Sequence, residues 1–197
     1  MQPIDTTETR YDGRTIFYHW TVAALVVVQW VEGQLIGYMP RGPLRLDAWS
    51  LHIVGGVVLG VLLVRRIVWR LTRGRRLPAA DGPLLEMGAK AAHYALYALL
   101  IAIVVLGVSI IAARGFPMFN VFRIPPLGAQ HSNLGHELVG WHRMIANWIL
   151  ILAGVHAVAA LFHHYVWRDG VLRRMLPSPT PAAATRPAAA PRPSAAE

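Results

Sequence analysis

Nine histidines and no cysteine set the chemistry open to this 197-residue chain. Without cysteine there are no disulfides, no iron–sulfur clusters, no thiolate zinc sites and no covalent haem attachment. Five of the histidines, His19, His52, His93, His142 and His156, lie inside long apolar stretches. An ionisable side chain at membrane depth is expensive, about 2.5–3.5 kcal/mol for a charge on insertion scales, and marks function by default. A single neutral histidine can simply hydrogen-bond a neighbouring helix. Five in one chain point instead to one shared cofactor system. His142 and His156 are the most informative pair. At 100° per residue their separation of 14 positions falls about 40° short of four full turns, so both project from one stripe of a helix, about 21 Å apart along its axis. Zinc needs ligands that converge on one ion, which this spacing does not offer. Two haems stacked across a bilayer, each taking one axial ligand from the same helix, fit it.

The elements that must position these residues are legible in the composition. Hydrophobic residues make up 55% of the chain and charged residues only 15%, against about 25% charged in an ordinary soluble domain. Charge is sparse, one or two residues each, in four stretches, about Ile16–Ile36, Ala48–Trp69, Ala89–Ala113 and Leu138–Trp167. Each is long enough to cross a hydrocarbon core about 30 Å thick as a helix, and only a helix satisfies its own backbone there. The expected fold is therefore all-α, an integral membrane four-helix bundle. A soluble enzyme with a conventional core is excluded.

The formal charge of +9 flanks the apolar segments, as membrane orientation requires, and does not point to nucleic acid. Arg10, Arg14, Arg65, Arg66, Arg70, Arg73, Arg75, Arg76, Lys90, Arg168, Arg173, Arg174, Arg186 and Arg192 belong to the two termini and the second loop. Arg41, Arg45, Arg114, Arg123 and Arg143 belong to the first and third loops. The positive-inside rule then places both termini in the cytoplasm. The N-terminal arm, with Asp5, Glu8 and Asp12 and no cleavage site, does not read as a removable signal. Trp20, Trp49, Trp69, Trp141 and Trp167 fall near span ends, where an aromatic belt belongs. The expected organisation is a cytoplasmic arm over 1–15, a membrane domain over 16–176 and a disordered Pro/Ala-rich cytoplasmic tail over 177–197. The third loop, with Pro117, Pro125 and Pro126, is expected to lie on the outer membrane surface.

Depth pairs the histidines. His52 lies a few residues into the second span from outside, as does His142 in the fourth. His19 and His156 lie toward the inside, with His93 a competitor for that inner site. Gly55, Gly56, Gly60 and Gly154 leave room for a flat macrocycle or for tight helix packing. Asn147 stands ready to bond a neighbouring helix or a haem edge. Gln29 and Glu32, late in the first span, line a polar entrance or mark the interface. Loop histidines His131 and His136 read as solvated.

With these residues in view the chain resembles the bacterial dihaem cytochrome b561 family, in its superoxide:quinone oxidoreductase branch. The resemblance rests on W-H-R-M-I-A-N at Trp141–Asn147 and on G-V-H-A-V-A-A-L-F-H-H-Y-V-W-R-D at Gly154–Asp169. It extends to L-R-R-M-L-P at Leu172–Pro177, to Tyr18-His19-Trp20, to Leu51-His52-Ile53-Val54-Gly55 and, more loosely, to Ala112–Pro117. It covers about Tyr11 to Pro177. It implies four axial ligands to haem iron, His52 and His142 outside and His19 and His156 inside, and two haems b. It also implies a multi-pass location in the bacterial inner membrane and a ubiquinone contact at His163. Seven residues beyond His156, His163 continues the same stripe and is able to donate a hydrogen bond and a proton to a quinone; His164 points about 100° away, toward the interface. Arg14, near His19, is a candidate contact to quinone or to a haem propionate, or else a positive-inside anchor.

The expected function is transmembrane electron transfer that oxidises superoxide, or another small electron donor, outside and reduces ubiquinone inside. The five outer arginines would draw a small anion; binding lipid phosphates or propionates is their other use. Two alternatives stand beside this. A b-type cytochrome subunit would take electrons from a partner dehydrogenase or hydrogenase, although short loops leave little surface for an obligate protein partner. A transporter would use the intramembrane histidines for metal or protons.

Overall fold

In the computed structural model, which describes residues 10–77, 82–127 and 132–177, the four apolar stretches are four long helices. These are α1 (Gly13–Tyr38), α2 (Pro43–Thr72), α3 (Pro83–Arg114) and α4 (Ser132–Phe162). A π-helical turn, His163–Trp167, continues α4, and a 3-10 turn, Leu172–Met175, ends the described chain. Residues 1–9 of the arm, His131 and the tail beyond Pro177 lie outside the described residues. All four helices are long and apolar enough to cross a membrane.

The helices outrun the apolar stretches because their ends are capped in the polar interface. Asp12 accepts from the Thr15 N–H at 2.9 Å as the N-cap of α1. Helices α2 and α3 begin with a proline at the first helical position, behind Gly42 and Gly82. Proline there lacks only an N–H that would have no intrahelical partner, and its φ is already helical.

Packing is uneven, and the unevenness defines the architecture. Helix α1 packs chiefly on α2, and α3 chiefly on α4; the two hairpins meet along a looser seam. At mid-height the seam is closed by an aliphatic layer of Val22, Leu59, Leu63, Leu100 and Ile149. Outside this layer most large apolar side chains, among them Val27, Val57, Val105 and Val155, are exposed. In a soluble protein that would be an aggregation hazard; on a bilayer-spanning bundle it is the lipid-facing surface.

The loop between α3 and α4, expected only as a surface segment, contains a β-hairpin. β1 (Phe116–Met118) pairs antiparallel with β2 (Phe122–Ile124), Pro117 opposite Arg123. Phe119 and Asn120 both take positive φ, 48° and 56°, and the Val121 N–H donates to the Met118 carbonyl at 2.9 Å. Two successive left-handed residues, as in a type I′ turn, thus turn the chain within a three-residue loop. Gly115, at φ 64°, admits the hairpin, since a Cβ there would stand 2.6 Å from the Ile124 carbonyl. The hairpin is fastened to α2. Met118 is buried, and fully buried Ser50 accepts from the Phe119 N–H at 2.9 Å while donating to the Leu46 carbonyl at 2.9 Å.

At the opposite end, one carboxylate gathers three segments. Besides capping α1, Asp12 accepts from the Trp69 indole at 3.0 Å and from the Arg75 N–H at 3.2 Å. The C-terminal segment joins through the Tyr11 N–H to the Arg174 carbonyl at 3.1 Å and the Trp20 indole to the Met175 carbonyl at 2.8 Å. The Arg14 guanidinium lies 4.8 Å over the Trp69 ring, and that of Arg70 lies 5.2 Å over Tyr11. Burial opposes the charge on Asp12, but the hydrogen bonds from Thr15, Arg75 and Trp69 outweigh it and lower its pKa from 3.8 to about 2. Because the folded pKa is depressed, this stabilisation is complete above 3.8 and is lost as pH falls toward about 2. Asp12→Ala should therefore cost about 1–2 kcal/mol, the usual value of a strong cap. In thermal unfolding of the detergent-solubilised protein, the gap in Tm from wild type should be constant around neutral pH and narrow only in that acid window.

Candidate functional site

The two histidine levels occupy the seam between the hairpins, one on each side of the aliphatic layer. At one level His52 of α2 faces His142 of α4, with ring centres 6.3 Å apart and planes at 71°. At the other, His19 of α1 faces His156 of α4, again at 6.3 Å, with planes at 29°. Each pair therefore spans the two hairpins. Ile149, only 2% exposed, lies seven residues from each α4 histidine, about 10 Å along the axis.

The shared separation has a chemical meaning. A metal–imidazole bond is about 2 Å long and the ring centre lies roughly 1 Å behind the nitrogen, so two imidazoles on opposite sides of one iron have centres roughly 6 Å apart. Twist about that axis is unrestricted, which accommodates both interplanar angles. His93, the competitor for the inner level, stands edge-on to His156 with centres 5.1 Å apart. That is ring-to-ring contact, without room for an iron between them.

Three of the rings, those of His19, His52 and His142, have a buried Nδ1 with no hydrogen-bond partner. Leaving a buried polar atom unpaired costs about 1–3 kcal/mol. The rings of His52 and His142 also rest on glycine. A Cβ on Gly33 of α1 would stand 3.5 Å from His52 Cε1, and one on Gly107 of α3 would stand 3.5 Å from His142 Cε1, in van der Waals contact with the ring edges. Paired imidazoles at axial spacing, unpartnered ring nitrogens and small residues behind the rings all suit haem iron. Among the described residues no three His, Asp or Glu side chains converge on one ion, the arrangement a metal transporter would need.

His163 begins the π-helical turn, and its Nδ1 is bonded to the Asp169 carboxylate, six residues on. The chain reverses through Arg168 at φ 56° and Gly170 at φ 81°, which carries Asp169 back under the ring. The second carboxylate oxygen accepts from the Val171 N–H at 3.0 Å. Burial works against the Asp169 charge, but the Val171 N–H and His163 hold its pKa below the ordinary carboxylate value. The Trp167 ring meets His163 edge-on at 4.6 Å. Single-turn π-helices are frequent at functional sites. Asp169 was missed on sequence reasoning; it lies within the recognised motif, but only the left-handed turn brings it to the histidine.

The remaining candidates are placed as follows. Asn147 accepts from the Trp30 indole at 3.0 Å, so it ties α4 to α1 across the seam rather than reaching a cofactor edge. Arg14 sits on Trp69, as described. Arg66 lies with its guanidinium 5.4 Å over the Tyr97 ring of α3.

The chain matches the family model for prokaryotic cytochrome b561 over residues 10–178. It is 32% identical over 176 residues to the probable superoxide oxidase CybB of Yersinia pestis, covering 85% of this chain and 96% of the relative. Escherichia coli K12 has two similar proteins. Cytochrome b561 homolog 1 is 28% identical, covering 85% of this chain and 97% of the relative; homolog 2 is 30% identical, covering 86% and 93%. The family binds b haem and moves electrons across a membrane. With four membrane-length helices and a family match over nearly its whole described length, this multi-pass bacterial membrane protein belongs to the prokaryotic cytochrome b561 family.

Proposed function

We propose that this protein takes electrons from superoxide at the outer face of the bacterial inner membrane and delivers them to ubiquinone at the inner face, through two b haems. His52 and His142 hold the outer haem and His19 and His156 the inner one. The observation that carries this reading is the repetition of one imidazole–imidazole separation, 6.3 Å, at two levels of one seam. The superoxide assignment is supported by the printed name of the Yersinia relative and by the outer arginines. The distribution of Lys and Arg supports a cytoplasmic location for both termini.

Each haem, when bound, supplies a one-electron ferric/ferrous couple. The electron count is simple. Two superoxide anions each lose one electron and leave as dioxygen, and one quinone takes two electrons and two protons to become quinol. The outer residues need supply neither acid nor base. Arg123 on the hairpin and exposed Arg41 and Arg143 provide a positive field, while Arg45 closes the α1–α2 loop by donating to the Met39 carbonyl at 3.2 Å. At the inner face the quinone requires protons. Asp169 takes the His163 Nδ1, which fixes the ring and assigns Nε2 to the quinone carbonyl; an imidazole so held passes a proton on and regains one from the aqueous side. Arg14, held over Trp69, adds positive charge at that entrance.

Three measurements test this. The purified protein should give two haems b per chain in a pyridine haemochrome assay. His52→Ala or His142→Ala should remove the outer haem and leave the inner spectrum, His19→Ala or His156→Ala should do the reverse, and His93→Ala should keep both. Second, superoxide should reduce the haem rapidly in stopped flow at low salt. The rate should fall steeply as salt rises, within the 10–10³-fold range of electrostatic steering, and Arg123→Glu should slow it severalfold. Slow, salt-indifferent reduction would remove superoxide as donor. Third, His163→Ala should slow quinone-dependent reoxidation by about 10²-fold or more, the contribution of a positioned proton donor, at unaltered haem content; Asp169→Asn should have a smaller effect of the same sign.

A further inference from the structure

One face of α1 is shaped around His52. The Gln29 side chain donates from Nε2 to the His52 backbone carbonyl at 2.7 Å. That carbonyl also belongs to the α2 helical ladder, and its second lone pair serves the glutamine. The Gln29 amide lies across Gly55 so closely that a Cβ there would stand 2.5 Å from its Oε1. A hydrogen bond and a steric fit together hold the rotation of α2 against α1 at the ligand itself. One turn further along α1, Glu32 Oε2 is 3.7 Å from His52 Nδ1, in ion-pair range and a few tenths of an ångström beyond hydrogen-bonding distance. The next residue, Gly33, leaves the space that the His52 ring edge occupies. Three residues within five positions thus address the carbonyl, the Nδ1 and the ring edge of one histidine. His52 Nδ1, like that of His19, has no partner at hydrogen-bonding distance, and Glu32 is the carboxyl within ion-pair range of it.

We propose that Gln29 and Glu32 are positioning residues for the outer axial ligand. Gln29 fixes the direction in which His52 leaves α2, and the Glu32 carboxyl faces the Nδ1–H and favours that tautomer, so that Nε2 is the atom presented to iron. Ligating histidines generally donate their second ring N–H to a carboxylate, carbonyl or water, which sets the tautomer and raises the basicity of the ligand. A more basic imidazole favours ferric over ferrous iron. Glu32 is not an entrance-lining residue on this account, and Gln29 is not an interface marker. The inference rests on His52 being a haem ligand.

The experiment is a spectroscopic redox titration of the full-length protein in detergent, resolving both haems, on wild type, Glu32→Leu, Glu32→Gln and Gln29→Leu, with His52→Ala as reference. Glu32→Leu should shift the one-electron equilibrium of the outer haem toward ferrous by about tenfold, corresponding to about 59 mV in midpoint, with the inner midpoint unmoved. Glu32→Gln, which keeps an oxygen acceptor, should shift it about threefold in the same direction. Gln29→Leu should weaken outer-haem retention 10–100-fold, as loss of outer-shell partners does, read as selective transfer of that haem to an apoprotein scavenger. Should Glu32→Leu fail to fold, the other two variants carry the test. Outer midpoint and retention equal to wild type in the folded variants, or equal shifts at both haems, would overturn the proposal. If His52→Ala itself retains two haems, it is the ligand assignment that fails.

Discussion

Two imidazoles on one stripe of α4, with Ile149 buried halfway between them, constrain the placing of the other three helices. Each α4 histidine faces a partner across the seam, and the partners come from different helices, His52 from α2 and His19 from α1. Both partners belong to the α1–α2 hairpin, so one rigid docking of that hairpin on α4 sets both spacings. This explains why α1 packs densely on α2, why α3 packs densely on α4, and why the two pairs meet loosely. A seam packed to the density of a soluble core would leave no room for a planar group between the rings. The aliphatic layer at Val22, Leu59, Leu63, Leu100 and Ile149 sets a minimum approach for the hairpins and keeps the two levels apart.

A loose seam in a bilayer has little hydrophobic driving force to close it, because lipid tails are as apolar as the side chains they would replace. Closure therefore falls to polar contacts. Trp30–Asn147 crosses the seam within the membrane. At one end, the β-hairpin that follows α3 is bolted to Ser50 of α2, two residues before His52. At the opposite end Asp12 joins α1 to the end of α2, and the C-terminal segment beyond α4 bonds back to Tyr11 and Trp20. Each of these links an element of one hairpin to an element of the other or to its own partner, at a height where the histidines need fixed spacing.

How much of this was legible in the sequence depends on the range of the interaction involved. The four spans could be read because lipid acts on every residue of a helix, and a hydropathy run reports it. The His142–His156 stripe was legible because helical geometry is local. The placing of His93 was not, since it lies at a depth similar to that of His156; its ring turns out to lie against that of His156, centres 5.1 Å apart, while His19 faces His156 at 6.3 Å, a property of how the helices pack. Asp12 read only as a charged residue in an arm, although its partners include Trp69 and Arg75, more than fifty residues away. Asn147 offered two partners, and only the packing of α1 on α4 selects Trp30. The β-hairpin was hidden because Phe119-Asn120 lacks the glycine that usually announces a type I′ turn.

The two levels also differ in the charge that surrounds them, and the difference has a direction. At the His52–His142 level the ionisable neighbour is a carboxyl, Glu32, 3.7 Å from His52. At the His19–His156 level it is a guanidinium, that of Arg66, fourteen residues beyond His52 on α2, about 21 Å along the helix axis, and held over the Tyr97 ring. An electron arriving at either level adds one negative charge. A carboxylate disfavours that charge and a guanidinium favours it, and a low-dielectric interior strengthens both effects relative to water. The outer level is also backed by Gln29, which holds α2 in register, while the inner level opens toward the basic, aromatic end built around Trp69, Arg14 and His163. On the proposed assignment of the two levels, carboxyl outside and guanidinium inside would bias an electron toward the inner pair. This is the sense of transfer that a donor at the outer face and a proton-consuming acceptor at the inner face require.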